Sequence, residues 1–376
     1  MRFVIDARRA GARPSGIGTY IRAVGERLAE HTTQPVRFWV PPDAPPISTR
    51  PHVTHHRVAS GTASVGTLLW PYLLDRFEPD DVFHATVNVL GYGLPCRSIV
   101  TLHDVIWLDH PEWCQPNPWL LPFSRRYFSI GIHHGIAAAE RVITVSHAAA
   151  DSILRTAPEV KERLRVIPLA ADPEFAPPSS RAASQARAAE LLGFDAPYFL
   201  VVGQNQASKG HSYALEAFAR AALPEQRLVF VQRLHPGHGL HRQATALGIA
   251  DRVSFAGAKS RSDLICLMQA ATALLQPSLA EGFGLPVLEA IACGTPVIAS
   301  AIGPIVEVLG GAGLTVPPAE SEPLREALVR VAGDRGLREE LAARGPERAR
   351  AFSWERTAEL TLEVYSEVAA SDRNAT

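Results

Sequence analysis

Two glutamates, Glu281 and Glu289, stand eight positions apart in the stretch of the sequence that is most informative about chemistry. Glu281 precedes the loop Gly282-Phe283-Gly284-Leu285, and the helix predicted after it begins near Pro286, where a missing N–H costs little. Free backbone N–H groups at a helix start attract anions, and carboxylates accept hydrogen bonds from hydroxyl groups. The stretch therefore predicts a site for a ligand that carries both hydroxyl groups and an anionic group.

The residues after Pro286 have the pattern of a helix that ends at Gly294, and 296–299 then have the pattern of a strand. We place Glu289 in the first turn of this helix, where the helix dipole by itself favours a carboxylate. The helix dipole does not explain why Glu281 stands beside a glycine loop. We therefore favour ligand binding for the pair.

Glycines also cluster between the first predicted strand and the first predicted helix, where Gly16 and Gly18 belong to a loop over 11–19. Small residues let a ligand approach the backbone closely, and the following helix start favours an anion. A flexible turn explains the same residues equally well. Ile21 occupies the place of the third glycine of the dinucleotide-binding fingerprint, so a dinucleotide site is poorly supported.

Two further polar loops come directly after predicted strands, at the end where ligands of α/β proteins bind. His103 and Asp104 form the first, although a single histidine is as often structural. Gly203, Gln204 and Lys209 belong to the second, which leads into a helix. The charge of Lys209 at that helix start would neutralise a phosphate group.

The composition is that of an ordinary globular protein large enough for two domains, with 376 residues, 47% of them hydrophobic and 20% charged. A net charge of −1 provides no basic surface for general nucleic-acid binding. The four cysteines have no metal-ligand spacing, and His235, His238 and His241 stand in a loop with glycine and proline, so we expect no metal site. The chain begins with a strand pattern and has no apolar run of about 20 residues, which predicts a cytoplasmic protein.

Strand and helix patterns alternate along nearly the whole chain. They predict an α/β protein with two doubly wound, Rossmann-like domains that face each other across a cleft. The first domain spans 1–170 and the second 182–352, with a linker rich in proline and serine between them. Since ligands of such domains bind at the carboxyl ends of strands, the cleft is the expected site.

Residues 107–127 mix aromatic and apolar side chains with Arg125 and Arg126. We interpret most of this segment as an ordinary packed helix. The alternative is peripheral contact with the inner face of a membrane or with a lipid acceptor, because apolar and cationic side chains together suit such a surface.

Taken together, these motifs resemble the retaining glycosyltransferases of the GT-B class, specifically the large family 4. The similarity follows the same order along nearly the whole chain, from the glycine loop at 16–18 to the segment 352–355. The motif that contains both glutamates is highly specific, and the other motifs are individually weak. In this family the tail helix, here within 353–376, packs back on the N-terminal domain.

The resemblance implies a role for each candidate residue of the second domain. Glu281 would contact the donor sugar, and Glu289 would bind the ribose hydroxyls. Backbone N–H groups would face the sugar and the diphosphate from Gly282, Phe283, Gly284 and Leu285. Lys209 would face the diphosphate, in the loop that also contains Gly203 and Gln204.

The resemblance also implies contacts from the first domain. His103, followed by Asp104, would lie near the reacting carbon, and Gly16 and Gly18 would close over the phosphates. Many family members carry arginines where this chain has Gln204 and Ser208, which leaves less positive charge for the diphosphate. Either the donor binds more weakly, or an arginine elsewhere compensates, such as Arg8, Arg9 or Arg13.

The implied reaction is transfer of a sugar from a nucleotide diphospho-sugar to a glycan, a lipid-linked molecule or a small molecule. It would proceed with retention at the anomeric carbon, without a metal or another cofactor, in bacterial polysaccharide or glycoconjugate biosynthesis. Two alternatives stay open. One is a nucleotide-sugar epimerase on the same fold, and the other is a non-catalytic nucleotide-sugar binding protein.

Overall fold

The computed structural model describes residues 1–11, 15–232 and 239–371. The chain divides into two compact units, one formed by Met1–Leu169 with Ser353–Thr376 and the other by Ala170–Phe352. Each unit is built on one parallel sheet. None of the helices in the described part of the chain is long and apolar enough to cross a bilayer.

In its described residues, the first unit contains seven strands, which are β1 (Phe3–Asp6), β2 (Val36–Val40), β3 (Val53–Arg57), β4 (Val82–Ala85), β5 (Arg97–Leu102), β6 (Arg141–Thr144) and β7 (Leu164–Val166). They pair in the order β3-β2-β1-β4-β5-β6-β7, and every pair is parallel. The helices between them are α1 (Gly16–His31), α2 (Val65–Leu69), α3 (Ile106–Asp109), α4 (Pro111–Cys114), α5 (Leu121–Ala138) and α6 (His147–Thr156). All residues of the two central strands, β1 and β4, are buried, as expected for a sheet covered on both faces.

The described part of the second unit contains six strands, which are β8 (Tyr198–Val202), β9 (Arg227–Val231), β10 (Val253–Phe255), β11 (Ala273–Gln276), β12 (Val297–Ser300) and β13 (Leu314–Val316). Their order is β10-β9-β8-β11-β12-β13, again with every pair parallel. The accompanying helices are α7 (Arg181–Leu192), α8 (His211–Ala221), α9 (Gly239–Ala246), α10 (Arg261–Ala270), α11 (Leu285–Ala292), α12 (Gly303–Leu309), α13 (Ser321–Gly333) and α14 (Arg335–Ala349).

The strand order reverses once in each sheet, between β1 and β4 in the first and between β8 and β11 in the second. At such a reversal the loops at the carboxyl ends of the two strands turn away from each other and leave a crevice for a ligand. In the second unit, the loop after β8 leads to Lys209 and the loop after β11 leads to Glu281. The fold thus brings two separately predicted motifs to one crevice.

The final helix, α15 (Trp354–Ala370), completes the first unit. Its Tyr365 is buried, with its ring centroid 4.8 Å from that of Phe3 in β1 and its hydroxyl 2.8 Å from Nδ1 of His84 in β4. Glu367 accepts hydrogen bonds from Arg141 and Arg165. The helix therefore covers the first sheet with both apolar and charged contacts.

Three features differ from the sequence-based expectations. The edge strands β3 and β13 were not predicted, because β3 is polar and half exposed and β13 has only three residues. Residues 171–181, predicted as the linker, belong to the second unit, where Phe175 is buried and Gln269 Nε2 donates to the carbonyl of Ala176 at 2.8 Å.

Residues 107–127 do not form the single packed helix that we expected for most of the segment. They contain most of α3, all of α4 and the start of α5. Prolines at 111, 116 and 118 explain the breaks, because proline ends a helix at the residue before it.

Candidate active site

The two loops beside the crevice of the second unit are joined through their backbones. Leu279 N–H donates to the carbonyl of Ser208 at 2.7 Å. Gly210 has φ +62°, and a Cβ there would lie 2.0 Å from the carbonyl oxygen of Pro277, so only glycine fits. This close approach places Lys209 directly against the loop that carries Glu281.

The Glu281 carboxylate accepts hydrogen bonds from three side chains. Lys209 Nζ lies 2.8 Å from Oε2, while Gln276 Nε2 at 2.9 Å and Ser278 Oγ at 2.8 Å both donate to Oε1. The Glu281 side chain is 8% exposed and that of Lys209 is 23% exposed. The carboxylate is therefore fixed in orientation, and the ammonium group keeps open positions for a second acceptor such as a phosphate.

Gly284 links this carboxylate to α11. Its φ of +104° favours glycine, and a Cβ would lie 2.6 Å from Cδ1 of Ile305. Gly284 is also the N-cap of α11, so no capping side chain accepts from the first N–H groups of the helix. Gly282, Phe283 and Leu285 are buried around it. Pro286 has no N–H, and the Val287 N–H donates to the Gly284 carbonyl at 2.9 Å. Among the described residues, the turn therefore leaves the Leu285 N–H without an acceptor, beside an oriented carboxylate.

Our placement of Glu289 in the first turn of the helix is wrong. Because α11 begins at Leu285, Glu289 is its fifth residue and lies in the second turn. No described residue donates a hydrogen bond to its half-buried carboxyl group. Burial raises the pKa of Glu289 to about 8, the nearby Asp172 raises it further, and Arg261 acts in the opposite direction. Without a ligand, Glu289 is therefore mostly protonated at neutral pH.

The loop after β8 supplies little charge besides Lys209. Gly203 ends the strand with φ +140°, which favours glycine, and Gln204 is exposed. Ser208 is buried beneath the other loop, where its carbonyl accepts from Leu279.

The arginines that were considered as compensation belong to the first unit. Arg8 is buried and forms a two-point ion pair with Asp6, with Nε donating at 2.8 Å and Nη2 at 2.5 Å. Its third nitrogen donates to the carbonyl of Ser60 and to Oγ1 of Thr67. Arg8 is thus fully engaged. Arg9 is exposed and donates to Thr62, and Arg13 lies outside the described residues.

His103 lies at the carboxyl end of β5 in a buried polar setting. Its backbone N–H donates to Oδ1 of Asn88 at 2.8 Å, and its Nε2 donates to the carbonyl of Thr86 at 3.0 Å. A carbonyl can only accept, so the ring proton resides on Nε2 and Nδ1 is an acceptor. Burial lowers the pKa of His103 to about 4, although the bond to Thr86 opposes this. His103 is therefore neutral and presents an acceptor to a hydroxyl group.

Asp104 and the glycines at the start of α1 have local structural roles. Asp104 Oδ1 accepts from the N–H of Ile106 at 3.1 Å and so supports the turn into α3. Gly16 and Gly18 were predicted in a loop, but the structure places both in the first turn of α1. The N-cap Ser15 makes no side-chain capping bond, so among the described residues no side chain caps the start of this helix.

Two residues near these positions were missed by the sequence analysis. Asn88 has φ 30°, which is uncommon for a residue with a side chain, and it fixes the backbone of both His103 and Asp104. His211, the first residue of α8, is buried, and its Nδ1 has no hydrogen-bond partner among the described residues. Burial, followed by the charge of Lys209, lowers the pKa of His211 to about 4. A positive φ cannot be read from an Asn within an apolar run, and histidine is common after any loop.

The histidine group at 235–241 supports no statement about a metal, because His235 and His238 lie outside the described residues. His241 is exposed on α9, with its ring centroid 6.2 Å from that of Phe255.

Both halves of the chain match glycosyltransferase families. Residues 184–348 match the family described as glycosyl transferases group 1, and residues 14–175 match glycosyltransferase family 4. A D-inositol 3-phosphate glycosyltransferase from Salinispora tropica is 33% identical, over 95% of this chain and 82% of that enzyme. The chain belongs to the family 4 glycosyltransferases of the GT-B class.

Other relatives of this glycosyltransferase cover less of its length. A D-inositol 3-phosphate glycosyltransferase from Saccharomonospora viridis is 34% identical over 65% of this chain, and the match spans 59% of that enzyme, which is less than two thirds. O-antigen chain mannosyltransferase B from Escherichia coli is 27% identical over 77% of this chain and 75% of that enzyme.

A solved structure shows the same fold. Anabaena HepE in complex with UDP-glucose superposes on this glycosyltransferase with a TM-score of 0.75 at 18% identity, over 98% of this chain and all of that one. The predicted family and the predicted α/β class are thus confirmed.

Proposed function

We propose that this glycosyltransferase moves a sugar from a nucleotide diphospho-sugar to an acceptor, with retention at the anomeric carbon and without a metal. The acceptor class is a glycan, a lipid-linked molecule or a small molecule, in bacterial polysaccharide or glycoconjugate biosynthesis. HepE, with UDP-glucose bound, and the O-antigen mannosyltransferase support a nucleotide-sugar donor and a glycan product.

The observation that carries the proposal is the Glu281 cluster beside the start of α11. A carboxylate oriented by Lys209, Gln276 and Ser278 suits a sugar hydroxyl, because its remaining lone pairs accept in fixed directions. The Leu285 N–H after Gly284, which has no acceptor among the described residues, suits an anion. A diphospho-sugar supplies both groups at neighbouring positions.

Catalysis would then rest on stabilising the departing diphosphate. Lys209 and the Leu285 N–H at the helix start would stabilise the negative charge that develops on the diphosphate as the bond to the anomeric carbon breaks. The leaving phosphate would take the proton of the acceptor hydroxyl on the same face of the sugar. Neutral His103 would accept a hydrogen bond from a sugar hydroxyl through Nδ1 and would serve to position the sugar.

The test is a panel of UDP-, GDP- and dTDP-sugars combined with acceptors that include D-inositol 3-phosphate, soluble glycans and lipid-linked sugars. We expect nucleotide release with one donor, a product with the anomeric configuration of that donor, and no loss of activity with a chelator. An inverted product, or inhibition by the chelator, would disprove the corresponding part of the proposal.

The same panel distinguishes the two alternatives. Conversion of a donor to its epimer without any acceptor would identify an epimerase. Saturable donor binding without release of nucleotide across the whole panel would identify a binding protein.

A further inference from the structure

Four hydrogen-bonded side chains form a continuous line through the core of the first unit. The Tyr365 hydroxyl in α15 lies 2.8 Å from Nδ1 of His84 in β4, and Nε2 of that ring lies 2.7 Å from Oγ1 of Thr101 in β5. The same Oγ1 lies 3.2 Å from the hydroxyl of Tyr20 in α1. All four side chains are buried, and we call them the buried network. The buried network connects the last helix of the unit to its first helix through two neighbouring strands.

The members of the buried network are neutral over a wide pH range. Burial, and then repulsion from His103 when both rings are charged, lowers the pKa of His84 to about 3. Burial raises the pKa of Tyr20 to about 12, although its bond to Thr101 opposes this, and burial also raises the pKa of Tyr365. A neutral imidazole has one donor and one acceptor, so His84 links the two hydroxyl groups whichever nitrogen carries its proton. The buried network thus fixes α1 and α15 to the sheet without any charge.

The α1 end of the buried network contacts His103. Thr101 stands two positions before His103, so both side chains point to the same side of the sheet. The Tyr20 ring meets the His103 ring edge to face, with centroids 5.2 Å apart and 82° between the planes, which is a favoured arrangement of aromatic rings. The bond from His103 Nε2 to the carbonyl of Thr86 fixes one atom of the imidazole. The contact with Tyr20 restricts the remaining pivot of the ring about that bond.

We propose that Tyr20 is a positioning residue for His103. Tyr365 supports it from α15 through the buried network. The inference rests on the proposed function, in which Nδ1 of His103 accepts a hydrogen bond from a sugar hydroxyl. A pivot of the imidazole would move Nδ1 away from that hydroxyl, and reaction rates are sensitive to displacements of about 1 Å. Tyr20 thus acts on the reaction through His103 and not through a contact of its own with the donor.

A role in stability alone does not explain the buried network. Replacing both partners of a buried hydrogen bond by apolar groups of the same shape costs little, so apolar side chains would fill this part of the core as well. A fully satisfied polar network instead fixes one arrangement of the groups that it connects. Here that arrangement sets the position of the Tyr20 ring against His103.

The first test compares kcat and the donor KM of tyrosine variants in the nucleotide-release assay. Tyr20→Leu, which removes the ring, should lower kcat about tenfold to a hundredfold and change KM by less than about twofold. Tyr20→Phe keeps the ring and loses only the hydroxyl, so it should restore most of the kcat. Tyr365→Phe interrupts the buried network at its other end and should cause a similarly small loss. Combining Tyr20→Phe with Tyr365→Phe should add little, because either change alone interrupts the network.

The second test measures the coupling of Tyr20 to His103. In a His103→Ala background, Tyr20→Leu should change kcat by less than about twofold, because the imidazole that it positions is absent. The matched control is Tyr198→Leu, which removes a buried tyrosine whose hydroxyl donates to the carbonyl of Leu267 at 2.7 Å. Tyr198 begins β8, at the end of the strand opposite the crevice. This control should lose stability in urea unfolding but keep the wild-type kcat.

The third test needs no activity and follows the pKa of His103 through the NMR signals of its ring protons, which are assigned by their absence in His103→Ala. The Tyr20 ring covers His103, so Tyr20→Leu should admit water and raise this pKa from about 4 towards the ordinary value of 6.5. Tyr20→Phe and Tyr198→Leu should leave the pKa at about 4.

Different outcomes contradict the inference and the proposed function. Equal losses of kcat from Tyr20→Leu with and without His103 would overturn the inference, because the effect of Tyr20 would then be structural. Wild-type kcat in Tyr20→Leu beside an impaired His103→Ala would overturn it too, and would leave the proposed function intact. An unchanged pKa of His103 in Tyr20→Leu overturns the inference even if no donor is turned over. Full activity of His103→Ala would contradict both the inference and the role of His103 in the proposed function.

Discussion

The loop after β11 and the second turn of α11 place two glutamates in opposite surroundings. Glu281 accepts hydrogen bonds from three side chains, whereas no described residue donates to Glu289. Burial raises the pKa of Glu289 to about 8, so its charge is suppressed until a ligand supplies donors. The difference teaches that two carboxylates of one motif can be prepared in different ways for the donor that we propose. Glu281 is already oriented by its neighbours, whereas we expect Glu289 to become a good acceptor only when a ligand supplies donors.

The largest effect should come from Glu281. Glu281→Gln should lower kcat by about a hundredfold or more, because the amide cannot balance the charge of Lys209 and its NH₂ group faces donors. The rate of nucleotide release at saturating donor concentration measures the loss in kcat. Glu347→Gln, which changes an exposed glutamate of the same unit, is the control and should retain full activity. Equal activity of the two variants would remove Glu281 from the site.

The next effect tests whether Lys209 and Glu281 act as one group. Lys209→Met alone should lower kcat/KM by about tenfold to a hundredfold. In the double variant with Glu281→Gln, the second change should add little, because each partner depends on the 2.8 Å pair. A double-mutant cycle on nucleotide release gives the coupling. Fully additive losses would show that the two residues act independently.

Glu289→Gln and Glu281→Gln should change the free energy of unfolding in opposite directions. The pKa of Glu289 is raised from 4.5 in the unfolded chain to about 8, so the folded state binds its proton more tightly. The wild type therefore loses stability as pH rises from 4.5 towards 8, and Glu289→Gln should raise the free energy of unfolding at pH 8 by about 4 kcal/mol. Glu281→Gln should lower it by about 1–2 kcal/mol through lost hydrogen bonds.

Urea unfolding at pH 8 and at a pH below 4.5 checks both directions, since the gain from Glu289→Gln should vanish at the lower pH. A gain that is the same at both pH values would show that the ionisation of Glu289 is not its cause.

The smallest effect is the pH dependence of donor binding. If ribose hydroxyls donate to the ionised carboxylate, binding favours the deprotonated form of Glu289, which prevails only above its pKa of about 8. The donor dissociation constant should then fall about tenfold between pH 7 and 9. Calorimetry between pH 7 and 9 measures this dissociation constant. Glu289→Gln should show a flat profile, and a slope that survives in this variant would assign the titration to another group.

Local patterns in the sequence were sufficient for part of this site. Glu281 and the turn at Gly284 could be predicted because glycine and proline mark the end of a loop and the start of a helix within a few residues. The helical turn that contains Glu289 could not be predicted, because a shift of one residue in the start of α11, from Pro286 to Leu285, makes Glu289 the fifth residue of the helix and moves it out of the first turn. The error in placing Glu289 is thus an error in the start of α11, and that start decides which residues surround the Glu289 carboxyl group.

The contacts that the sequence analysis missed are between residues far apart in the chain. Lys209 and Glu281 are 72 positions apart, and they meet only because β8 and β11 are neighbours in the sheet. Asn88 reaches His103 in the same way, through the pairing of β4 with β5. The alternation of strands and helices predicts such a sheet, but several strand orders fit the same alternation.

The last helix has a consequence for how the protein is made. The chain passes through the whole second unit before α15 returns to cover β1 and β4. During translation, Phe3 and His84 of the first unit therefore stay uncovered until α15 has left the ribosome. Domains synthesised early usually fold first. In this protein the second unit has all of its own residues before the first unit has, so the second unit should mature first although its translation begins later.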